Sequence, residues 1–253
     1  MSVLSADAAV GRLVAECPGR ARVLERYGID YCCGGEKTLA EACSGKGVAP
    51  EKVLRELELC HPEPAGNAGQ NGASVSGLIC LLEKEHRYLL KKELPRLDAL
   101  LEWVAAAHRK EHPELVELRR AFKHFRRRLA EHAQIEEESV FPALCWVEEP
   151  DQDHLEYLRG TVRYSIAAME SEHRGIGAEL AKLRVLAGGF EPPFDADEDY
   201  RRMLAGLAGL EREVRGHVFT ENSILFARAI AAEDALNDRT TDAEPAFVRR
   251  RRK

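Results

Sequence analysis

Beyond residue 77 the chain carries apolar residues at helical spacing in four long stretches, with almost none of the alternation a strand needs. Three breaks separate them: HRKEHPE near residue 110, EEPDQDH near 151 and GGFEPPFDAD near 192, each with the Pro, Gly or Asp that stops or caps a helix. Short breaks between long amphipathic helices make antiparallel neighbours. The pattern therefore predicts an all-α fold, an up-down four-helix bundle over residues 78–235. Pro95 and Pro142 fall inside two of these helices and should bend them. Residues 1–60 show the same spacing in shorter pieces, as in Val53, Leu54 and Leu57, and predict a small helical domain near the lower size limit for its own core. Residues 61–77, HPEPAGNAGQNGASVSG, read as a flexible linker, and 236–253 as a disordered basic tail.

Composition changes this picture little. With 37 basic and 43 acidic residues the net charge is −6, which does not point to a nucleic-acid binder, and the terminal run Arg249 to Lys253 reads as a solvated tail. The opening MSVLSADAAVGRLVAECPGR has no apolar block of signal-peptide length, and no later run approaches a membrane span. A cytoplasmic location is the expectation. Seven cysteines, an odd number without an even-spaced framework, do not predict stable disulfides.

The histidines carry more. His86 has Ile79, Leu82, Leu89 and Leu90 on its own helical face, and His173 has Ile166, Met169, Ile176 and Leu180. His132 and His217 lie on similar apolar stripes, while His124 is surrounded by Arg120, Arg127 and Arg128 and belongs to the surface. Two of the inward histidines are followed four residues later by an acid, Glu136 and Glu221, each about 6 Å along the axis from its imidazole. Two carboxylates entering an apolar core with no inward Lys or Arg require something positive to meet them.

Spacing then sets the level. Midway between His86 and His132 lies residue 109, between His132 and His173 the point 152.5, and between His173 and His217 residue 195. Each falls in a break, so all four histidines share one level of the bundle. The halves also repeat: EKEHR around His86 parallels ESEHR around His173, and His132, Glu136 and Phe141 parallel His217, Glu221 and Phe226. A duplicated helix pair gives a two-fold site for two metals, each with two histidines, bridged by Glu136 and Glu221. Imidazole with bridging carboxylate suits iron or manganese better than zinc, and two iron ions are the expected cofactor. The ordinary alternative is four satisfied core histidines with acids in helix pairs; six such residues at one level weigh against it. A ferritin-like alternative would use Glu83-x-x-His86 and Glu170-x-x-His173, whereas Glu85 and Glu172 are placed to support the ligands from behind.

The front segment holds DYCCGGEKTL, with Cys32 and Cys33 adjacent. Neighbouring cysteines cannot close an unstrained disulfide, and no Cys-x-x-Cys stands beside them for zinc. A helix starting through Glu36, Lys37, Thr38 and Leu39 would lower a nearby thiol's pKa; plain structural burial is the other reading. Cys17 and Cys43 are candidate helpers.

HAQIEEESVFPAL and HVFTENSILFARA, with MESEHRGIG and EKEHRYLLKKELPRL, resemble the hemerythrin-like domain of the iron-sulfur cluster repair di-iron proteins. CPGRARVLERYGIDYCCGGEKTLAEAC is similar to the small cysteine-bearing domain that precedes it in that family. The resemblance implies metal ligands at His86, His132, Glu136, His173, His217 and Glu221 and puts the family's vicinal cysteines at Cys32 and Cys33. Beside a two-iron bundle, redox or iron transfer is the expected role of that pair, and Glu172 stays a candidate support on its position alone. It further implies repair of damaged iron-sulfur clusters under nitrosative or oxidative stress, by donating iron or by binding and reducing nitric oxide at the reduced site. Implied partners are nitric oxide or dioxygen and iron-sulfur proteins with damaged clusters, with no nucleic acid and no membrane. A homodimer would place one chain's cysteines near the other's bundle. Oxygen-carrying hemerythrins have a His-x-x-x-His pair on the third helix, whereas here Gly177 follows His173 at that distance. Fewer histidines fit reactive or releasable iron better than reversible oxygen storage; a hemerythrin-type oxygen or nitric oxide binder or sensor without catalysis is the alternative, beside a ferritin-like iron oxidase.

Overall fold

The computed structural model describes residues 4–60, 73–148 and 161–242. Among them the fold is all-α, and the nearest approach to a strand is one isolated antiparallel bridge between Ala9 and Thr38. The front domain holds α1 (Val10–Glu16), α2 (Arg20–Arg26), α3 (Leu39–Ser44) and α4 (Pro50–Glu58).

The bundle has four long helical runs. The first is α5 (Val75–Tyr88), a π turn (Leu89–Glu93) and α6 (Leu94–His108). The second is α7 (Glu114–Ile135), a π turn (Glu136–Val140) and α8 (Phe141–Glu148). The third is the unbroken α9 (Thr161–Leu186). The fourth is α10 (Glu198–Thr220), a π turn (Glu221–Leu225) and α11 (Phe226–Asp242). The first run packs on the second and fourth, as does the third, which is the up-down arrangement.

The prolines act differently from the expected bend within an α-helix. Each sits just after a π turn, whose wider i→i−5 pattern accommodates a residue with no N–H and a bulky ring. The fourth run has a π turn at Glu221, the place related by the repeat to Glu136, without any proline, so a proline is not what makes the turn. The linker boundary also shifts. Ser74 caps α5 by accepting from the Gly77 N–H at 3.1 Å, and Glu148 accepts from the Val75 N–H at 2.7 Å, so the helix opens before residue 78. At the other end α11 continues to Asp242, beyond the expected limit of 235, because no Gly or Pro stops it before Pro245. The linker's residues 61–72, the EEPDQDH break beyond Glu148 and the terminal basic run lie outside the described residues.

Two apolar cores result. One, built on Leu78, Leu82, Phe141, Met169 and Phe226, fills one end of the bundle. The other fills the opposite end and continues into the front domain through Ile29, Tyr31 and Cys32. The small domain thus completes its core on its own chain's bundle, with Tyr31 set edge-on to Phe219 at 5.7 Å between ring centres. Among the described residues no helix is long and apolar enough to cross a membrane.

Candidate metal centre

Between the two cores lies a buried polar layer. His86 comes from α5, His132 from α7, His173 from α9 and His217 from α10, while Glu136 and Glu221 open the π turns of the second and fourth runs. All six are buried, with Glu136, Glu221 and His173 wholly out of solvent. They form two groups sharing both carboxylates: His86 and His217 with Glu136 and Glu221, and His132 and His173 with the same pair. The Nε2 atoms approach the carboxylate oxygens closely: His86 to Glu136 at 3.2 Å, His132 to Glu136 at 3.3 Å, His173 to Glu221 at 3.2 Å and His217 to Glu221 at 3.0 Å. His86 stacks on Phe141 and His173 on Phe226, each 6.0 Å away, so the repeated Phe serves both halves alike.

A cation fits this donor set. Among the described residues, the four Nε2 atoms and all four carboxylate oxygens lack a well-directed hydrogen bond, although each is buried. Leaving eight such atoms unsatisfied costs several kcal/mol per charged group. Separations near 3 Å are those of ligands that share one ion through bonds of about 2.1 Å. Without a cation, protons must do the same work. Burial alone would lower His173 and His217, but the neighbouring oxygens of Glu136 and Glu221 outweigh it and push both up to about 10. Burial likewise raises Glu221, and the two histidines reverse that and hold it well below the usual carboxylate range. His132, where burial dominates, is lowered.

The outer nitrogens fix the rings. His86 Nδ1 lies 3.1 Å from Glu137 Oε1, His217 Nδ1 2.8 Å from Glu85 Oε2, and His173 Nδ1 2.7 Å from Asn222 Oδ1. Asn222 Nδ2 donates to the Cys32 carbonyl at 2.9 Å, so its oxygen must be the atom that accepts from His173. Each of these bonds puts the Nδ1 proton outward and turns the Nε2 lone pair to the centre. Sequence spacing had placed Glu85 and Glu172 as supports. Glu85 stands behind His217, but Glu172 is drawn away to Arg128 at 3.2 Å. Sequence spacing does not single out Glu137 and Asn222, though each directly follows one of the two shared carboxylates, Glu136 and Glu221. Glu83 and Glu170, the ferritin-like candidates, belong to none of the ligand groups found among the described residues.

The cysteine pair sits on the same layer. Cys33 Sγ donates to the His173 carbonyl at 3.4 Å, and a Cβ at Gly177 would stand 3.7 Å from that sulfur. The helix expected through Glu36 does not form there; α3 starts at Leu39, six residues past Cys33, behind a Thr38–Glu41 capping box. Asp30 organises the loop instead, accepting from the N–H groups of Cys32 and Cys33 at 3.0 Å each and from the Cys32 thiol at 3.2 Å. Both thiols are free and 3.6 Å apart. The Cys32 thiol's hydrogen bond lowers Cys33, while that same bond and burial raise Cys32 well above its ordinary value. The glycines serve close packing more than flexibility: a Cβ at Gly35 would meet the Tyr31 carbonyl at 2.8 Å. Cys17 and Cys43 are buried in the front core, and the ligand group at the pair includes Asp30 in their place.

Two family models match the chain. Residues 78–229 match the Hemerythrin HHE cation binding domain, and residues 6–61 match ScdA_N, a domain of unknown function (DUF542). Among curated proteins, the iron-sulfur cluster repair protein ScdA of Staphylococcus haemolyticus is 28% identical over 88% of this chain and 98% of its own length. The iron-sulfur cluster repair protein YtfE of Enterobacter sp. is 26% identical over 90% and 98%, and that of Pectobacterium carotovorum 23% identical over 90% and 98%.

Proposed function

The chain belongs to the Hemerythrin HHE cation binding domain family, and from that premise we propose that it is a di-iron protein that repairs damaged iron-sulfur clusters by donating iron. The observation that carries this reading is the Cys33 thiol resting on the backbone of His173, a histidine whose ring faces the shared carboxylates. The names of the relatives support the outcome. The mixed imidazole and carboxylate donors favour iron over zinc. His86, His132, Glu136, His173, His217 and Glu221 would hold two ions, which supply the cargo for an apo-cluster and, when ferrous, open positions for a diatomic ligand.

The chain's own residues prepare the exit. Glu136 and Glu221 bring two negative charges into a dry layer, and the outward Nδ1 bonds keep the Nε2 lone pairs inward. Of the two thiols Cys33 is the more readily ionised, because the Cys32 thiol 3.6 Å away lowers it, so it is the better placed to receive a cation. Arg215 lies 3.9 Å from both Cys32 Sγ and Asp30 Oδ1 and balances the charge there.

Iron transfer is tested anaerobically with two-iron protein, sulfide and an apo-ferredoxin as acceptor. Cluster formation should fall about tenfold or more in a Cys32→Ala/Cys33→Ala variant; no transfer from the unaltered protein would sink the reading. A second reading, reduction of nitric oxide to nitrous oxide, is favoured by the four donors available to each ion and by Gly177 standing in place of a further histidine. It predicts nitrous oxide from the reduced protein with or without the cysteines, and fails if only a stable nitrosyl forms. A long-lived, reversible oxy spectrum would instead favour oxygen binding.

A further inference from the structure

The two ion positions share both carboxylates but differ in what stands behind their imidazoles. At the His86–His217 position each Nδ1 meets a carboxylate, Glu137 at 3.1 Å and Glu85 at 2.8 Å. At the His132–His173 position, His173 meets the neutral amide of Asn222 at 2.7 Å. His132 Nδ1 is buried without a hydrogen-bond partner among the described residues.

The internal repeat explains how the difference arises. Glu137 and Asn222 each follow a bridging Glu, so one half carries an acid where the other carries an amide. Glu85 and Glu172 each precede a ligand histidine, so Glu172 is the residue that would back His132. Arg128, one turn before His132, holds it at 3.2 Å together with Glu179 at 2.8 Å. The residue one turn before His217 is Glu213, which repels Glu85 where an arginine would capture it. A charge reversal at one repeated position thus leaves His217 with its carboxylate and deprives His132 of one.

A carboxylate behind a ligating imidazole raises the basicity of the metal-facing nitrogen, and such partners are worth about 10–100-fold in metal affinity. We propose that the two positions are unequal: the His86–His217 position retains its ion, and the His132–His173 position releases its ion first. The weaker position is the one beside the thiols, through Cys33 on the His173 carbonyl and Asn222 on the Cys32 carbonyl. This rests on the two-ion reading above and adds which ion leaves.

The test is release of ferrous iron from the full chain, loaded anaerobically with two ions and titrated with the chelator ferrozine in the absence of any acceptor. The expected curve has two steps of one ion each, separated by about tenfold or more in chelator concentration. In a Glu85→Gln/Glu137→Gln variant the tighter step should move about tenfold or more toward the weaker one, which stays in place. Both side chains are about two-fifths exposed and glutamine still accepts a hydrogen bond, so the fold is little disturbed. A single two-ion step in the unaltered protein overturns the inference without touching the repair reading, as does a variant in which only the weaker step moves. Uptake of fewer than two ions overturns the two-ion reading and this inference with it.

Discussion

The polar layer and the cysteine loop touch through a few atoms but are built in opposite ways. Every donor in the layer is carried by a helix, at a spacing of three or four residues from its apolar neighbours, so the backbone's own period aims the side chains. The loop from Ile29 to Thr38 has no repeating element. It is shaped by one carboxylate on two N–H groups, by glycine backbones in contact, and by Arg215 reaching from the bundle. Regular backbone makes a site robust and readable; irregular backbone makes one that depends on what it leans against.

The sharpest way to break the first construction is Glu136→Leu, which removes a donor shared by both ion positions. Metal analysis should show both ions lost. Stabilisation by an ion present at about a thousand times its dissociation constant is about 4 kcal/mol, and in a domain of this size that corresponds to roughly 8–16 °C of melting temperature. An unchanged ion count would mean Glu136 is not a bridging ligand.

The next effect separates the empty layer from the loaded one by pH. His173 and His217 stand at about 10 in the metal-free protein against an ordinary 6.5. A group raised on folding stabilises while protonated, so its contribution is complete below about 6.5 and is lost as pH climbs through about 10. The metal-free protein should therefore melt at progressively lower temperature across that window. The loaded protein, whose Nε2 atoms hold ions in place of protons, should keep its melting temperature over most of it. Parallel profiles for the two forms would contradict the assignment.

Arg215→Leu tests the second construction. Arg215 is largely buried, pairs with Glu211 at 3.0 Å and faces Asp30 and Cys32. Breaking a buried pair costs about 3–5 kcal/mol, here at the low end because Arg184 still holds Glu211 at 2.8 Å. Urea unfolding should register that loss, and Cys33 should alkylate faster as the loop loosens, while two ions remain bound. Loss of iron in this variant would show that loop and layer are one construction.

The same division decides what could be read from sequence. The bundle, its level and the six central residues follow from period and from the midpoints of the breaks, which need only straight antiparallel helices. Two of the π turns show in the sequence only as prolines, Pro95 and Pro142, which read as bends, and nothing in the sequence marks the third, at Glu221. Glu172 looked equivalent to Glu85 because their local sequences match; the difference lies on the neighbouring helix, in Arg128. The seat of the cysteines depended on Gly177, which read as a missing histidine and proves to be the space beside Cys33 Sγ. Contacts between distant segments leave no period to find.

The smallest expected effect is the control on the layer itself. His124 lies on α7 two turns before His132, yet its side chain is more than half exposed and its Nδ1 meets Glu179 Oε2 at 3.2 Å. Its removal leaves Glu179 paired with Arg128 at 2.8 Å, so no buried charge is stranded. His124→Ala should change stability by no more than about 0.5 kcal/mol and leave two ions bound, as urea unfolding and metal analysis would record. The two histidines share a helix and a residue type, and lie two turns along it and about 80° around it from one another. An ion lost from His124→Ala would therefore mean that helical face does not select the ligands of this centre.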